Sequence, residues 1–185
     1  MIHLQYKLTE KEFLDYNFYT CWQKPEKRNL RLAYYLTTPI LYLVVIGLIF
    51  YDRNKEGFDN FAIILGIIGF IALMLLTKFR IRPRFDKQAL QMIKQSAPDT
   101  ILSEMELMFA ETGITGKTQI AEVKYSWNAF QKKVIVNDCY YLFINIRQAI
   151  VIPFRAFKTK TEKDSFEKML AQYLPLQADL PAVNK

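Results

Sequence analysis

The chain has 185 residues, with 25 Lys and Arg against 18 Asp and Glu, for a formal net charge of +7. That length holds one modest domain plus an additional segment, and a hydrophobic content of 51% against 23% charged residues excludes disorder. Two cysteines, Cys21 and Cys139, and a single histidine, His3, exclude a disulfide scaffold, a cysteine-rich metal site and most histidine-based catalysis.

At the N-terminus, IHLQYKL alternates apolar and polar residues, the period of a short strand. Thr9 to Glu12 (TEKE) fits a capping box, and Phe13, Tyr16 and Tyr19 continue at helical spacing. Residues 1–29 are therefore expected to form a strand and an amphipathic helix leading into a basic approach.

Two charge-free stretches follow, LAYYLTTPILYLVVIGLIFY over 32–51 and NFAIILGIIGFIALMLLT over 60–77. A helix of 20 residues is about 30 Å long, the thickness of a hydrocarbon core, and neither stretch carries the polar stripe of a helix in a soluble bundle. We expect a transmembrane hairpin over 30–79, turned by the linker DRNKEGFD. The polar and charged residues ahead of the first span distinguish it from a cleavable signal peptide. Lys24, Lys27, Arg28 and Arg31 precede the hairpin and Lys78, Arg80, Arg82, Arg84, Lys87 and Lys94 follow it, whereas the tip has only Arg53 and Lys55. The positive-inside bias then puts both termini in the cytoplasm, as a multi-pass protein of the inner membrane. Free cysteines suit that reducing compartment.

Tyr34, Tyr35, Phe50, Tyr51, Phe58, Phe61 and Phe79 punctuate the span ends, where aromatic rings act as interfacial anchors. Pro39 is expected to kink the first span. Ala62 and Gly66 form a small-xxx-small pair, a surface for the first span or for a second copy of the chain. Neither span contains an Asp, Glu, Lys, Arg or His, which speaks against a channel or transporter.

The run over 80–98 carries a local charge of +4 between Arg80 and Gln95. Arg80, Arg82, Arg84 and Lys87 are candidates for contact with anionic lipid headgroups, although their positions are already those that insertion alone would set for topology determinants. From Ile101 the period becomes two. Met105, Leu107 and Phe109 alternate with Glu104, Glu106 and Met108, then Val123, Tyr125 and Trp127 with Glu122, Lys124 and Ser126. Gly113 and Gly116 are read as turns, as are Asn137-Asp138 and Arg147-Gln148, the last two separating VIV, CYYLFINI and AIVIP. Several short strands with tight turns read as a small antiparallel sheet, and Phe166, Met169, Leu170 and Tyr173 give the last element an apolar helical face to cover it. This domain is expected over 99–175, with a mobile tail over 176–185. The fold class is thus membrane α+β.

No catalytic set emerges. GITGKT (113–118) has two residues between its glycines where a P-loop needs four. Glu104 and Glu106 share a strand face, as any outward-facing strand would arrange them. Trp127, Phe130, Tyr140, Tyr141 and Phe143 fit a core better than a stacking surface. Lys132 and Lys133 make only a faint nucleic-acid patch on a domain of charge +1 over 96–158. No cofactor, metal or nucleic acid is expected.

The two-span hairpin, the strand with Trp127 and the segment NDCYYLFINIRQAIVIPFRAF (137–157), ending Ile152-Pro153-Phe154-Arg155-Ala156-Phe157, resemble the YcxB-like family of bacterial membrane proteins. That family commonly carries a basic residue where this chain has Phe154, so a contact resting on that charge is absent. The resemblance implies architecture and location rather than an activity, and its C-terminal domain is similar to pleckstrin-homology-like sheets closed by a helix. Pro153 is expected to end its strand, leaving Arg155 as a structural clamp or an anion contact. The expected function is a membrane-anchored cytoplasmic binding module, with the lipid bilayer and a membrane or cytoplasmic protein as partners and Arg147 and Arg155 as candidate partner surface. The alternatives are a reader of anionic headgroups and a membrane-associated enzyme.

Overall fold

The computed structural model describes residues 2–52, 57–58, 60–95 and 101–174. The hairpin-tip residues Arg53 and Lys55, the side chain of Ala62 and the expected tail 176–185 lie outside the described residues. The chain divides into two compact units, Met1–Tyr16 with Ala89–Lys185, and Asn17–Gln88.

The first unit is two antiparallel sheets with most of a helix near the N-terminus and a second helix that closes the domain. Strand β1 (Ile2–Lys7) and helix α1 (Glu10–Phe18) begin the chain. The capping box forms: the Glu12 N–H donates to Thr9 Oγ1 at 3.2 Å and the Thr9 N–H to Glu12 Oε2 at 2.8 Å. In the second unit helix α2 (Arg28–Phe50), a two-residue ladder of β2 (Tyr51–Asp52) on β3 (Gly57–Phe58), and helix α3 (Asn60–Gln95) make the hairpin. The chain then builds β4 (Glu104–Ala110), β5 (Gly113–Lys117), β6 (Glu122–Tyr125), β7 (Lys132–Val136), β8 (Cys139–Phe143), β9 (Ala149–Pro153) and α4 (Lys160–Tyr173).

Sequence alternation leads to one small sheet; the first unit has two, ordered β1-β4-β5-β6 and β7-β8-β9. The break falls after β6, where Trp127–Ala129 form a short 3-10 turn and the Trp127 indole N–H donates to Ala110 O at 3.0 Å. The N-terminal strand, read from sequence within a separate segment 1–29, is the edge of the four-stranded sheet. Its register with β4 sets Ile2 opposite Phe109 and Leu4 opposite Leu107. All four side chains are buried, while His3 and Gln5 face outward and bond Glu106 and Glu104.

A continuous core runs from Leu4 and Phe109 through Tyr140, Ile152 and Phe166 to Leu170. Phe166 packs its ring on Phe109, Tyr140 and Phe157, which is how α4 closes the sheets. The helix is capped by Thr159, whose hydroxyl accepts from the Glu162 N–H. Trp127, Phe130, Tyr140, Tyr141 and Phe143 are all buried, so this aromatic group is core. Asn137 and Asp138 have φ of 47° and 61°, the conformation a two-residue hairpin turn requires. Gly113 has φ of +148°, and a Cβ there would collide with Tyr125 O, so the turn at Glu111-Thr112 needs glycine at its exit. Gly116 is different: it lies inside β5 and does not mark a turn.

The second unit puts its apolar residues outside. Two helices, Pro25–Phe50 and Ile63–Gln95, are long and apolar enough to cross a membrane, and almost none of either apolar stretch is buried. Leu48 is 78% exposed, Ile49 65% and Phe61 64%. The helices touch through small residues: the Tyr42 ring occupies the space beside Gly69, and its hydroxyl donates to Leu65 O at 3.0 Å. Leu43 lies against Gly66, so that half of the small-residue pair packs within the chain. Helix α2 continues through Pro39 and α3 through Pro83. At the charged end a π-helical turn, Tyr19–Gln23, presents Trp22 to Tyr34, Tyr35 and Phe85. Arg31 donates to Trp22 O and Lys24 O at 2.6 and 2.7 Å, tying the end of this turn to α2.

Candidate functional site

The first unit holds an apolar cavity of about 320 Å³ between the inner faces of β4, β5 and β6, the start of β9, and α1. Small side chains create it. Gly116 lies between Leu107 and Val123 in neighbouring strands and projects nothing into the space, and Ala121 and Ala149 stand at its border. Phe13, Met105, Tyr125, Ile144 and Ile150 supply much of the wall, and no lining side chain among the described residues is charged. The two polar side chains at the rim are already engaged. The Thr118 hydroxyl bonds Ala121, and Gln148 Oε1 accepts from Asn145 Nδ2 at 2.8 Å.

Beside the cavity, the outer edge of β9 is covered by tyrosine hydroxyls. Tyr16 accepts from the Ala149 N–H at 3.1 Å and donates to Arg147 O at 2.7 Å, while Tyr6 donates to Val151 O at 2.5 Å. Burial pushes the Tyr6 hydroxyl well above its ordinary pKa, so it stays a donor. This edge therefore does not present a free ladder for strand addition.

The second feature is a cleft of about 570 Å³ around Arg155, lined also by Glu12, Asp15, Asn137 and Cys139. The Arg155 guanidinium makes a fork with Glu12, Nε to Oε1 at 2.7 Å and Nη2 to Oε2 at 2.6 Å, and also donates to Lys7 O at 2.6 Å. Arg155 thus ties the end of β9 to the start of α1, the clamp that planar bidentate geometry favours. Partial burial raises the Glu12 carboxyl, but the Arg155 guanidinium and the Thr9 N–H and hydroxyl outweigh it and hold Glu12 below the usual carboxylate range. The bond to Glu12 in turn holds the Arg155 proton more tightly. Burial, then the nearby Glu12 and Asp15 carboxylates, push the Cys139 thiol up to about 12, which leaves it protonated and unreactive at neutral pH.

The other candidate residues fall in separate places. Arg147 is exposed in a turn organised by Asn145, whose Oδ1 accepts from the Arg147 and Gln148 N–H groups. In the second unit Arg82 pairs with Asp86 and lies 4.6 Å above the Phe18 ring, Arg84 reaches the Tyr34 hydroxyl at 3.4 Å, and Arg80 and Lys87 are exposed. Of the six basic candidates, Arg147 and Arg155 belong to the first unit and the other four to the second. Sequence reasoning missed Glu12, Tyr6 and Tyr16. The capping box pointed to Glu12 for a local role only, and alternation placed Tyr6 inward without naming its acceptor. The stretch GITGKT forms most of β5, so it is not a phosphate loop. Among the described residues no group of three or more His, Cys, Asp or Glu is placed to hold a metal ion.

Comparison with known proteins gives one match. Residues 109–170 match the family model described as YcxB-like protein. The matched segment runs from Phe109 at the end of β4 to Leu170 in α4, so it takes in β5, β6, the whole three-stranded sheet and most of the closing helix, but not β1, most of β4 or the hairpin. No curated protein and no solved structure matches the chain.

Proposed function

We propose that the chain is a membrane-anchored binding module, with its YcxB-like domain in the cytoplasm and its hairpin crossing the inner membrane of a bacterium. The observation that carries this reading is the outward placement of the apolar side chains on α2 and α3, with Leu48 at 78% exposed and Ile49 at 65%; core helices of a soluble protein would bury them. The YcxB-like match and the Lys and Arg flanking both ends of the hairpin support the location. A four-stranded and a three-stranded antiparallel sheet closed by a C-terminal helix support a likeness to pleckstrin-homology-like domains. Because β1 precedes the hairpin and β4 follows it, the domain is joined to its anchor at two points of the chain, and tethering raises its effective concentration near membrane partners. Its role in this reading is recognition rather than catalysis.

Alkaline carbonate extraction tests it. The full chain is expected to remain in the membrane pellet, whereas a chain with residues 17–88 replaced by a Gly-Ser linker is expected to become soluble and to unfold cooperatively. Release of the full chain by carbonate would overturn the anchor. A second reading, contact with anionic headgroups, has the exposure of Arg80 and Lys87 in its favour.

A further inference from the structure

We infer that the cavity between the sheets binds a single hydrocarbon chain, that of a free fatty acid or a similar one-chain amphiphile. The inference rests on the membrane-anchored reading, which puts the domain beside a supply of such molecules.

Four observations point to that occupant. The walls, among them Phe13, Met105, Val123, Tyr125 and Ile150, are apolar or aromatic and uncharged, so the occupant is not recognised by charge. At the rim the Thr118 hydroxyl and the Gln148 side-chain oxygen are bonded within the chain, which leaves the Gln148 amide nitrogen to meet a polar head group. The backbone of the central walls is committed: β4 is paired on both sides, by β1 and β5, and β5 by β4 and β6, which leaves β6 as the edge strand of that sheet. A peptide added to β6 would extend the sheet beyond its edge rather than fill the cavity over its face, and the neighbouring edge of β9 carries the Tyr16 and Tyr6 hydroxyls. Volume supplies the last constraint. A space of 320 Å³ is at the lower end for ligand pockets, room for one chain rather than two. Gly116, Ala121 and Ala149 hold that space open, since a larger side chain at any of them would narrow it.

The test uses the full chain in phosphatidylcholine nanodiscs and two photoactivatable probes: dodecanoic acid bearing a diazirine on its chain, and a phosphatidylcholine carrying a diazirine acyl chain. After illumination, labelled peptides are mapped by mass spectrometry in the wild-type chain and in Ala121→Trp. Ala121 is exposed at the border of the cavity, so the indole fills the mouth without entering the core. The free acid is expected to label peptides holding Met105, Val123 and Ile150, and Ala121→Trp to lower that labelling about tenfold or more with cooperative unfolding retained. Labelling of α2 and α3 by the phospholipid probe is the internal control, expected in both chains. If α2 and α3 are labelled but the cavity peptides are not, the cavity proposal fails and the anchor stands. If α2 and α3 are unlabelled, the anchor itself fails. Cavity labelling by the phospholipid alone would overturn the free chain in favour of a bilayer lipid, and displacement by an apolar peptide but not by unlabelled dodecanoate would assign the site to a protein partner. Should Ala121→Trp unfold, Val123→Trp, at a position 41% exposed on an edge strand, serves the same purpose.

Discussion

The two units of this chain handle apolar residues in opposite ways. In the sheet domain Phe109, Tyr141, Leu142, Phe143 and Phe166 are fully inaccessible, and in the hairpin Leu48, Ile49, Ile68 and Phe61 are more than half exposed. Both regions are strongly apolar, so composition alone does not separate them. Periodicity does: strands that alternate and a helix with one apolar face can hide their apolar side chains within a small domain, whereas helices apolar all round cannot hide them against each other. In the proposed reading the bilayer is the solvent for that exposed surface.

The sharpest way to break that contrast is to remove a side chain from the inside-out pair's buried half. Phe166→Ala deletes the ring between α4 and both sheets and is expected to cost about 3–5 kcal/mol of unfolding free energy, read by denaturant titration of the detergent-solubilised chain, with membrane retention unchanged. On the exposed half, Leu41→Asp, at the middle of the first span and 62% exposed, is expected to cost about 3 kcal/mol of apparent insertion free energy, seen as a lower membrane fraction, while the sheet domain keeps its stability. Leu4→Ala probes whether the N-terminal strand shares the core. It is expected to lower domain stability by about 2–4 kcal/mol, and an effect within about 0.5 kcal/mol would detach β1 from the sheet.

The smallest expected effect belongs to the clamp. Arg155 is half-exposed, so Glu12→Gln or Arg155→Lys is expected to cost only about 1 kcal/mol. Its pH dependence is more diagnostic than its size. Glu12 titrates below its ordinary value in the folded chain, so its contribution is whole above the unfolded value of about 4.3 and is lost as pH falls through the lowered folded value. Stability of the wild-type chain should therefore fall more steeply than that of Glu12→Gln on acidification below about pH 4.5, and identical profiles would remove the clamp from the account.

Much of the architecture was legible in the residues. The capping box at Thr9 and Glu12, the Asn137-Asp138 turn, the alternation of β4 and the apolar face of α4 are local patterns, and local patterns determine local structure. The pairing of β1 with β4 was not legible. Alternation fixes which face of a strand points inward but says nothing of its partner, and here the partner lies about a hundred residues away across the hairpin. Gly116 misled for a related reason. Glycine marks turns and also strand positions where space must stay open, and only the neighbouring Leu107 and Val123 decide between them. The cavity follows from that choice, and Arg155 was recognisable as a clamp whose carboxylate, Glu12, sequence did not reveal.

Site-directed spin labelling in lipid nanodiscs tests the central contrast most directly. Leu48→Cys, Ile67→Cys, Lys124→Cys and Lys168→Cys, each in a chain with Cys21→Ser and Cys139→Ala, place labels at exposed positions of both units. A hairpin within the bilayer gives labels at 48 and 67 that relax with lipid-soluble oxygen and ignore a water-soluble nickel chelate, while labels at 124 and 168 do the reverse. Equal access of the chelate to all four positions would contradict it.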